Sequence, residues 1–313
     1  MRSGQARSLE AGEAHAQVGL PGLFCFVVIA AEFGHVPSTV NILNAGLDAG
    51  FSGCSTWRIY SNVSEIDMIS SHSRCENCVE MAIMGSMDVP RGKPAGAYWQ
   101  PTALNTPIFQ QVWKHVFDTG IYNDWAWTIK TEVDTVFAAS HLQLYLYAMG
   151  LASEPAFMLN VVSDLHGPIE AITQLGVAQF ALAPPDTCDG VAQNNPSAGE
   201  DWWLSDCLKA VNVTGVKADF LLNDGGSHYE GADDTHFAAC DTGYVSNHPR
   251  ASPAIWNKCF TELIACNAVV CDASSGEDTG SGAAACADQP NATTQPLQLY
   301  GHWCCCTHAL WQV

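Results

Sequence analysis

The uninterrupted apolar run Leu23–Ala30, LFCFVVIA, most constrains what this chain can fold into. Extended by Ala31 it is still far too short to span a bilayer, which needs about 20 apolar residues. It lacks the alternation of a half-exposed strand, so it reads as a strand covered on both faces, the pattern of parallel sheets. A parallel neighbour needs a crossover, usually a helix. The sequence supplies one: Pro37 opens a helix, with Ser38 and Thr39 in its first turn, running to about Ala49. Gly50–Gly53 ends it, and Trp57–Ser61, WRIYS, reads as a second strand. This strand–helix–strand unit is the start of a doubly wound or related α/β fold.

The chain is organised around Asp124–Phe137, DWAWTIKTEVDTVF. A short apolar strand, Trp125–Ile129, is followed by Lys130, then by two acids one residue apart, Glu132 and Asp134, and then by the apolar pair Val136 and Phe137. In a strand, residues i and i+2 project to the same side. Two carboxylates so placed can share one hard divalent ion. Acid-x-acid is common, however, and alone it reads as an ordinary strand end solvated in a loop.

Charge narrows the function classes. The 313 residues carry 32 acids against 12 Lys and Arg, a net charge of −20. No basic run exists, which argues against a nucleic-acid partner. An anionic nucleotide can still bind where a metal or a helix N-terminus supplies positive charge. The 14 cysteines are spread along the chain. Cys75 and Cys78 form one CxxC without a second pair at zinc-finger distance, so disulfides in an oxidising lumen are the better reading. Sequons at Asn62, Asn212 and Asn291 agree with that compartment. Arg2 and Arg7 fit a signal peptide, but Glu10 and Glu13 interrupt the approach to the apolar run. The chain as given is therefore expected to carry no targeting or membrane segment.

Three regions are expected: a disordered stretch at 1–21, a single domain at 22–270, and a low-complexity, Cys-containing tail at 271–313. Within the domain, Thr106 as N-cap and Pro107 begin a helix with Ile108, Val112, Val116 and Phe117 on one face, and Gly120 ends it. The Met81, Met84, Met87 spacing reads as core filling. Ser140 caps a helix to about Met149, and Phe157–Val162 is a strand. Leu165–Glu170 is a tight Gly167–Pro168 turn, with Glu170 opening a helix over about Ala171–Leu182. A loop from Pro184 to Ala198 leads to a helix, Trp202–Val211, which Glu200 and Asp201 precede. Phe220–Leu222 is a short strand. Residues 223–243, with Asp224, His228, Asp233, Asp234 and His236, are loop-like. Tyr244–Pro249 precedes a last helix, about Pro253–Cys266.

Four signals stand at strand–loop positions: Glu132-x-Asp134, Gly167–Pro168 with Glu170, Glu200–Asp201, and His248 before Pro249. Each has a plain alternative. Acids in the first turn of a helix stabilise it electrostatically, and a loop histidine is often merely satisfied. Together they follow the carboxyl ends of strands, where open α/β sheets place ligands. Two carboxylates and one imidazole on a metal, with another carboxylate as base, make a coherent catalytic plan.

The segments NTPIFQQVWKHVF, DWAWTIKTEVDTVF, GPIEAI, GEDWWLSDCLKAV and the late HP resemble GT-A-type glycosyltransferases over roughly Leu23–Phe260. They are similar to algal and protist glycosyltransferase-like proteins, whose central motif reads KxDxDAVF, and distantly to the fringe and β-1,3-galactosyltransferase families. The resemblance implies a GT-A-like three-layer α/β sandwich with a mixed, mostly parallel central sheet. It implies that Glu132, Asp134 and His248 hold a divalent ion, Mn2+, on the diphosphate of a nucleotide sugar, UDP-linked. Asp201 would be the base of an inverting transfer to a hydroxyl on a glycan or glycoprotein. Glu170 and Glu200, with the Gly167–Pro168 turn, would line the acceptor side, and Lys130 would reach a phosphate or simply end its strand. The Golgi lumen is the implied compartment. Glu132 stands where the family has Asp, and Thr131 and Val133 also depart from its pattern. An inactive sugar- or nucleotide-binding homologue therefore remains the alternative, beside a secreted, disulfide-rich interaction protein.

Overall fold

The computed structural model describes residues 19–30, 50–62, 78–80, 82–93, 102–161, 164–224, 240, 243–248, 253–267, 297–299 and 302–304. The expected helix at 37–49, Met81, Cys75, Asn291, Pro249, His228, Asp233, Asp234 and His236 lie outside them, as does nearly all of both terminal regions. The strands are β1 (Leu23–Val28), β2 (Thr56–Tyr60), β3 (Val79–Glu80), β4 (Arg91–Gly92), β5 (Thr102–Ala103), β6 (Trp127–Thr131), β7 (Val136–Phe137), β8 (Ala156–Leu159), β9 (Ile169–Thr173), β10 (Thr214–Lys217), β11 (Leu222–Asp224), β12 (Ser246–His248), β13 (Leu297–Leu299) and β14 (His302–Cys304). The helices are α1 (Thr106–Thr119), α2 (Ala139–Met149), α3 (Gln174–Ala181), α4 (Pro185–Asn194), α5 (Glu200–Ala210) and α6 (Pro253–Asn267).

Seven strands form the central sheet in the order β10-β8-β9-β6-β1-β2-β3. β1 pairs in parallel with β2 and β6, β2 with β3, and β10 with β8. Only β9 runs against its neighbours, β6 and β8. The alternating side chains of β1 supply both faces. Phe24 and Phe26 enter a core with Ile108, Val112, Trp113 and Val116 of α1, Phe180 of α3, and Trp203, Leu204 and Cys207 of α5. Leu23, Cys25 and Val27 enter the opposite core with Leu142 and Leu146 of α2 and Trp256, Phe260 and Leu263 of α6. The architecture is thus helix–sheet–helix, a three-layer α/β sandwich with a mixed, mostly parallel sheet, as expected. A fully buried Phe or Leu contributes about 1.5–3 kcal/mol, so this doubly covered strand anchors both layers.

Several boundaries differ from expectation. The central strand lies two residues later than Trp125–Ile129, so Lys130 is inside it. α1 begins at Thr106 with Asn105 at the cap position, and the Asn105 Oδ1 accepts the Glu200 N–H of a different helix (3.3 Å). Ser140 lies within the first turn of α2 rather than capping it. Glu170 does not open a helix. It sits mid-strand in β9, where β-branched Ile169, Ile172 and Thr173 favour extension and the whole segment pairs with β6. The helix starts only at Gln174, capped by the Thr173 Oγ1, which accepts the Gly176 N–H (3.1 Å). Residues 185–194, expected as loop, form α4, with Pro185 at its start, Asp186 in the first turn, and a Cys188–Cys207 disulfide joining it to α5. β10 was not expected, and β11 lies later than Phe220–Leu222.

Disulfides also join Cys25 to Cys54 and Cys240 to Cys259, and Cys78 is disulfide-bonded. Among the described residues, no helix is long and apolar enough to cross a membrane.

Candidate metal centre

Glu132 follows β6 directly. Its N–H donates to the Pro168 carbonyl (3.1 Å), and the Thr135 N–H donates to the Glu132 carbonyl (3.2 Å). The Thr135 hydroxyl also donates to Pro168 (2.9 Å). These bonds fold residues 132–135 into a turn that brings Asp134 beside Glu132 and feeds the chain into β7. β7 pairs antiparallel with β12, Val136 opposite Asn247 and Phe137 opposite Ser246. Continuing that register sets His248 across from Thr135, next to Asp134. One ligand atom each from Glu132, Asp134 and His248 lie within 4.8 Å of one another. The His248 Nε2 is 3.5 Å from the Glu132 Oε2 and 3.5 Å from the Asp134 Oδ2. The imidazole is 10% exposed, while the carboxylates are 40% and 27% exposed, so the group opens towards solvent on its acidic side.

Two residues that sequence reasoning did not assign complete this arrangement. β11 pairs in parallel with β12 and places Asp224 directly opposite His248. The Asp224 Oδ1 lies 2.9 Å from the His248 Nδ1, and its Oδ2 lies 3.0 Å from the His166 Nδ1. One carboxylate thus holds two imidazoles. Burial opposes ionisation of Asp224, but the hydrogen bonds and charges of His166 and His248 hold it well below the usual carboxylate range. Burial would lower the His248 pKa. Hydrogen bonds to Asp134 and Asp224, with the charges of Asp134 and Glu132, outweigh it and push the value up to about 10. His166 is raised for the same reason, through Asp224. Asp224 ends an apolar segment, FLLND, much as Glu132 follows β6, and that parallel is the available signal. His166 gave none beyond preceding the Gly167–Pro168 turn.

Behind the turn lies a second acidic group, closed to solvent. Lys130 is 1% exposed and stands over the Phe109 ring, 4.7 Å from its centroid. Its Nζ donates to the Gly167 carbonyl (2.8 Å) and lies 3.2 Å from the Glu200 Oε1 and 3.6 Å from both the Glu170 and Glu132 Oε1 atoms. Glu170 is its cross-strand neighbour in the β6–β9 register. Burial alone would lower the Lys130 pKa, but Glu170, Glu200, Glu132 and Asp201 raise it above its usual range. Burial and the Glu200 charge raise Glu170 well above the carboxylate range, and burial raises Glu200. Asp201, in the first turn of α5, accepts the Gly167 N–H on Oδ2 (3.3 Å) and the Trp202 N–H on Oδ1 (2.9 Å). The candidate residues therefore fall into two linked groups: Glu132, Asp134 and His248 at the surface, and Lys130, Glu170 and Glu200 beneath, with Asp201 joined through Gly167.

The surface group suits a divalent cation. Two carboxylates and an imidazole suit a hard or borderline divalent ion better than a thiolate-seeking metal. An imidazole whose Nδ1 is fixed by a carboxylate presents Nε2, the usual orientation of a metal-binding histidine. Here the Nε2 faces Glu132 and Asp134.

No protein-family model matches the chain, and no curated protein matches it. Among solved structures, mouse xyloside xylosyltransferase 1 in its apo form is similar over 74% of this chain and 98% of its own, with 8% identity and a TM-score of 0.42. The galactosyltransferase LgtC, solved with donor and acceptor sugar analogues, is similar over 77% of this chain and 95% of its own, with 8% identity and a TM-score of 0.40.

Proposed function

We propose that this protein is a metal-dependent, inverting glycosyltransferase that moves a sugar from a UDP-linked donor to a hydroxyl on a glycan or glycoprotein. The observation that carries the reading is the convergence of Glu132, Asp134 and His248 at the end of β6. That position is where open α/β sheets hold ligands. The motif resemblance around these residues supplies the reaction class. Mn2+ is the proposed ion, and bound there it would offset the charge of the departing diphosphate. Glu132 and Asp134 would hold it on their solvent-facing oxygens, and His248 through Nε2.

Asp201 is the proposed base. Its carboxylate lies at the N-terminus of α5 and is oriented by two N–H donors, those of Gly167 and Trp202. It would take the proton of the acceptor hydroxyl as that oxygen attacks the anomeric carbon. The bond from that carbon to the diphosphate breaks on the opposite face, and its electron pair leaves with the phosphate oxygen. The disulfides agree with the secretory pathway, and the Golgi lumen is the compartment proposed.

The test is turnover of a UDP-sugar panel with Mn2+, by wild type, Asp134→Ala and Asp201→Ala. Asp134→Ala should lose metal binding and turnover. Asp201→Ala should keep donor binding and lose transfer by at least 100-fold. A wild-type protein that neither binds nor turns over any UDP-sugar with metal would refute the proposal.

A further inference from the structure

We propose that Lys130 is a positioning residue, which sets the placement of the cation ligand Glu132 relative to the base Asp201, and is not a phosphate ligand. This rests on the proposed function. The ammonium is out of reach of solvent, with Phe109 on one side and three carboxylates and a carbonyl on the others. An ammonium has three N–H donors. The Gly167 carbonyl at 2.8 Å and the Glu200 carboxylate at 3.2 Å are its shortest contacts. Glu132 and Glu170, both at 3.6 Å, complete the shell. A donor phosphate could bind Lys130 only by displacing these partners from a closed pocket.

Each partner leads to the proposed chemistry. Glu132 meets Lys130 through Oε1, which leaves Oε2, the oxygen 3.5 Å from the His248 Nε2, turned to the cation position. Gly167 meets Lys130 through its carbonyl while its N–H donates to Asp201. Glu200 immediately precedes Asp201 in the first turn of α5. One ammonium therefore connects the cation ligand at the end of β6 with the helix N-terminus that presents the base. Its positive charge does not oppose an incoming cation, because the Glu200 carboxylate at 3.2 Å offsets it.

The test uses the full chain, with Mn2+ affinity read by electron paramagnetic resonance, UDP affinity by calorimetry in saturating Mn2+, and thermal melting. Lys130→Met should weaken Mn2+ binding about 10- to 100-fold, the usual effect of losing an outer partner of a metal ligand, and should lower the melting temperature by leaving buried acid uncompensated. Lys130→Met/Glu170→Gln removes one of those acids. It should regain most of the melting temperature while Mn2+ binding stays weak. Mn2+ affinity that returns together with the melting temperature would reduce Lys130 to a purely structural role and overturn the inference. Unchanged Mn2+ affinity in Lys130→Met, with weakened UDP binding, would make it a phosphate ligand and overturn it equally. A wild-type protein that binds no Mn2+ would refute the proposed function itself, and this inference with it. A wild type and a Lys130→Met that bind Mn2+ equally well would refute the inference alone.

Discussion

Replacing Asp224 by Asn tests the histidine clamp without changing the size of the side chain. Asp224 is 8% exposed and makes two charge-assisted contacts, 2.9 Å to His248 and 3.0 Å to His166. Such bonds contribute about 1.5–3 kcal/mol each. An Asn amide keeps one as a neutral acceptor, worth about 1 kcal/mol, and turns an NH2 towards the other imidazole. The expected loss at weakly acid pH is about 3 kcal/mol, or roughly 6–12 °C in melting temperature for a domain of this size. Its pH dependence has a definite sign. Asp224 is depressed in the fold, so its contribution is present above the ordinary carboxylate value of about 4 and fades as pH falls below it. The histidines are raised, so theirs is present below about 6.5 and fades as pH rises, for His248 through about 10. The gap between wild type and Asp224→Asn should therefore be widest between about pH 4 and 6.5 and narrow on both sides. Urea melts from pH 3 to 10, with chelator present so that the imidazole meets protons alone, would measure it. A gap that is flat across this range, or below about 1 kcal/mol at pH 5.5, would refute the clamp.

Other substitutions probe single contacts. A Cβ at position 167 would fall 3.1 Å from the Glu132 Oε1 and 3.3 Å from the Lys130 Nζ. Gly167→Ala should thus shift Glu132 and weaken Mn2+ binding about tenfold, while urea melts change by under about 1 kcal/mol. The Cys25–Cys54 bridge spans 29 residues of sequence. Cys25→Ala/Cys54→Ala should lower stability by about 3.5 kcal/mol from loop entropy, with a further loss for the emptied core volume, read by denaturant titration. A loss below about 1 kcal/mol would mean that the unfolded chain gains little freedom when this crosslink is removed.

Local signals are legible in the sequence where the chemistry is local. Leu23–Val28 is apolar on both faces, and a doubly covered strand followed from that. The Glu132/Asp134 pair at a strand end and His248 before Pro249 are visible in the sequence as side chains able to hold a cation, and the fold brings them together. Contacts set by long-range register were not visible. Asp224 looked like a loop acid because its partner comes from the β11–β12 pairing, 24 residues away. Glu170 resembles a helix start because a Gly–Pro turn precedes it and the residues after Thr173 do form a helix, yet it lies in β9. Its real partner, Lys130, lies across the sheet. The α4 segment, rich in Pro, Asp, Gly and Asn, resembles a loop in composition, and its tie to α5 through Cys188 could not be deduced from 14 cysteines.

The reversed strand β9 carries one consequence for how the sheet finds its alignment. Apolar strands slide past one another at small cost, because one Ile replaces another in the same layer. Here the β6–β9 pairing sets Lys130 opposite Glu170. A slip of one residue would set Lys130 against Ile169 or Ala171 and turn the carboxylate into the opposite, largely apolar layer. A slip of two would restore the layer but leave Ile172 or Pro168 across from the ammonium. Each misalignment takes the Glu170 side chain away from the ammonium and into apolar surroundings, so this buried polar pairing favours one alignment of the two strands.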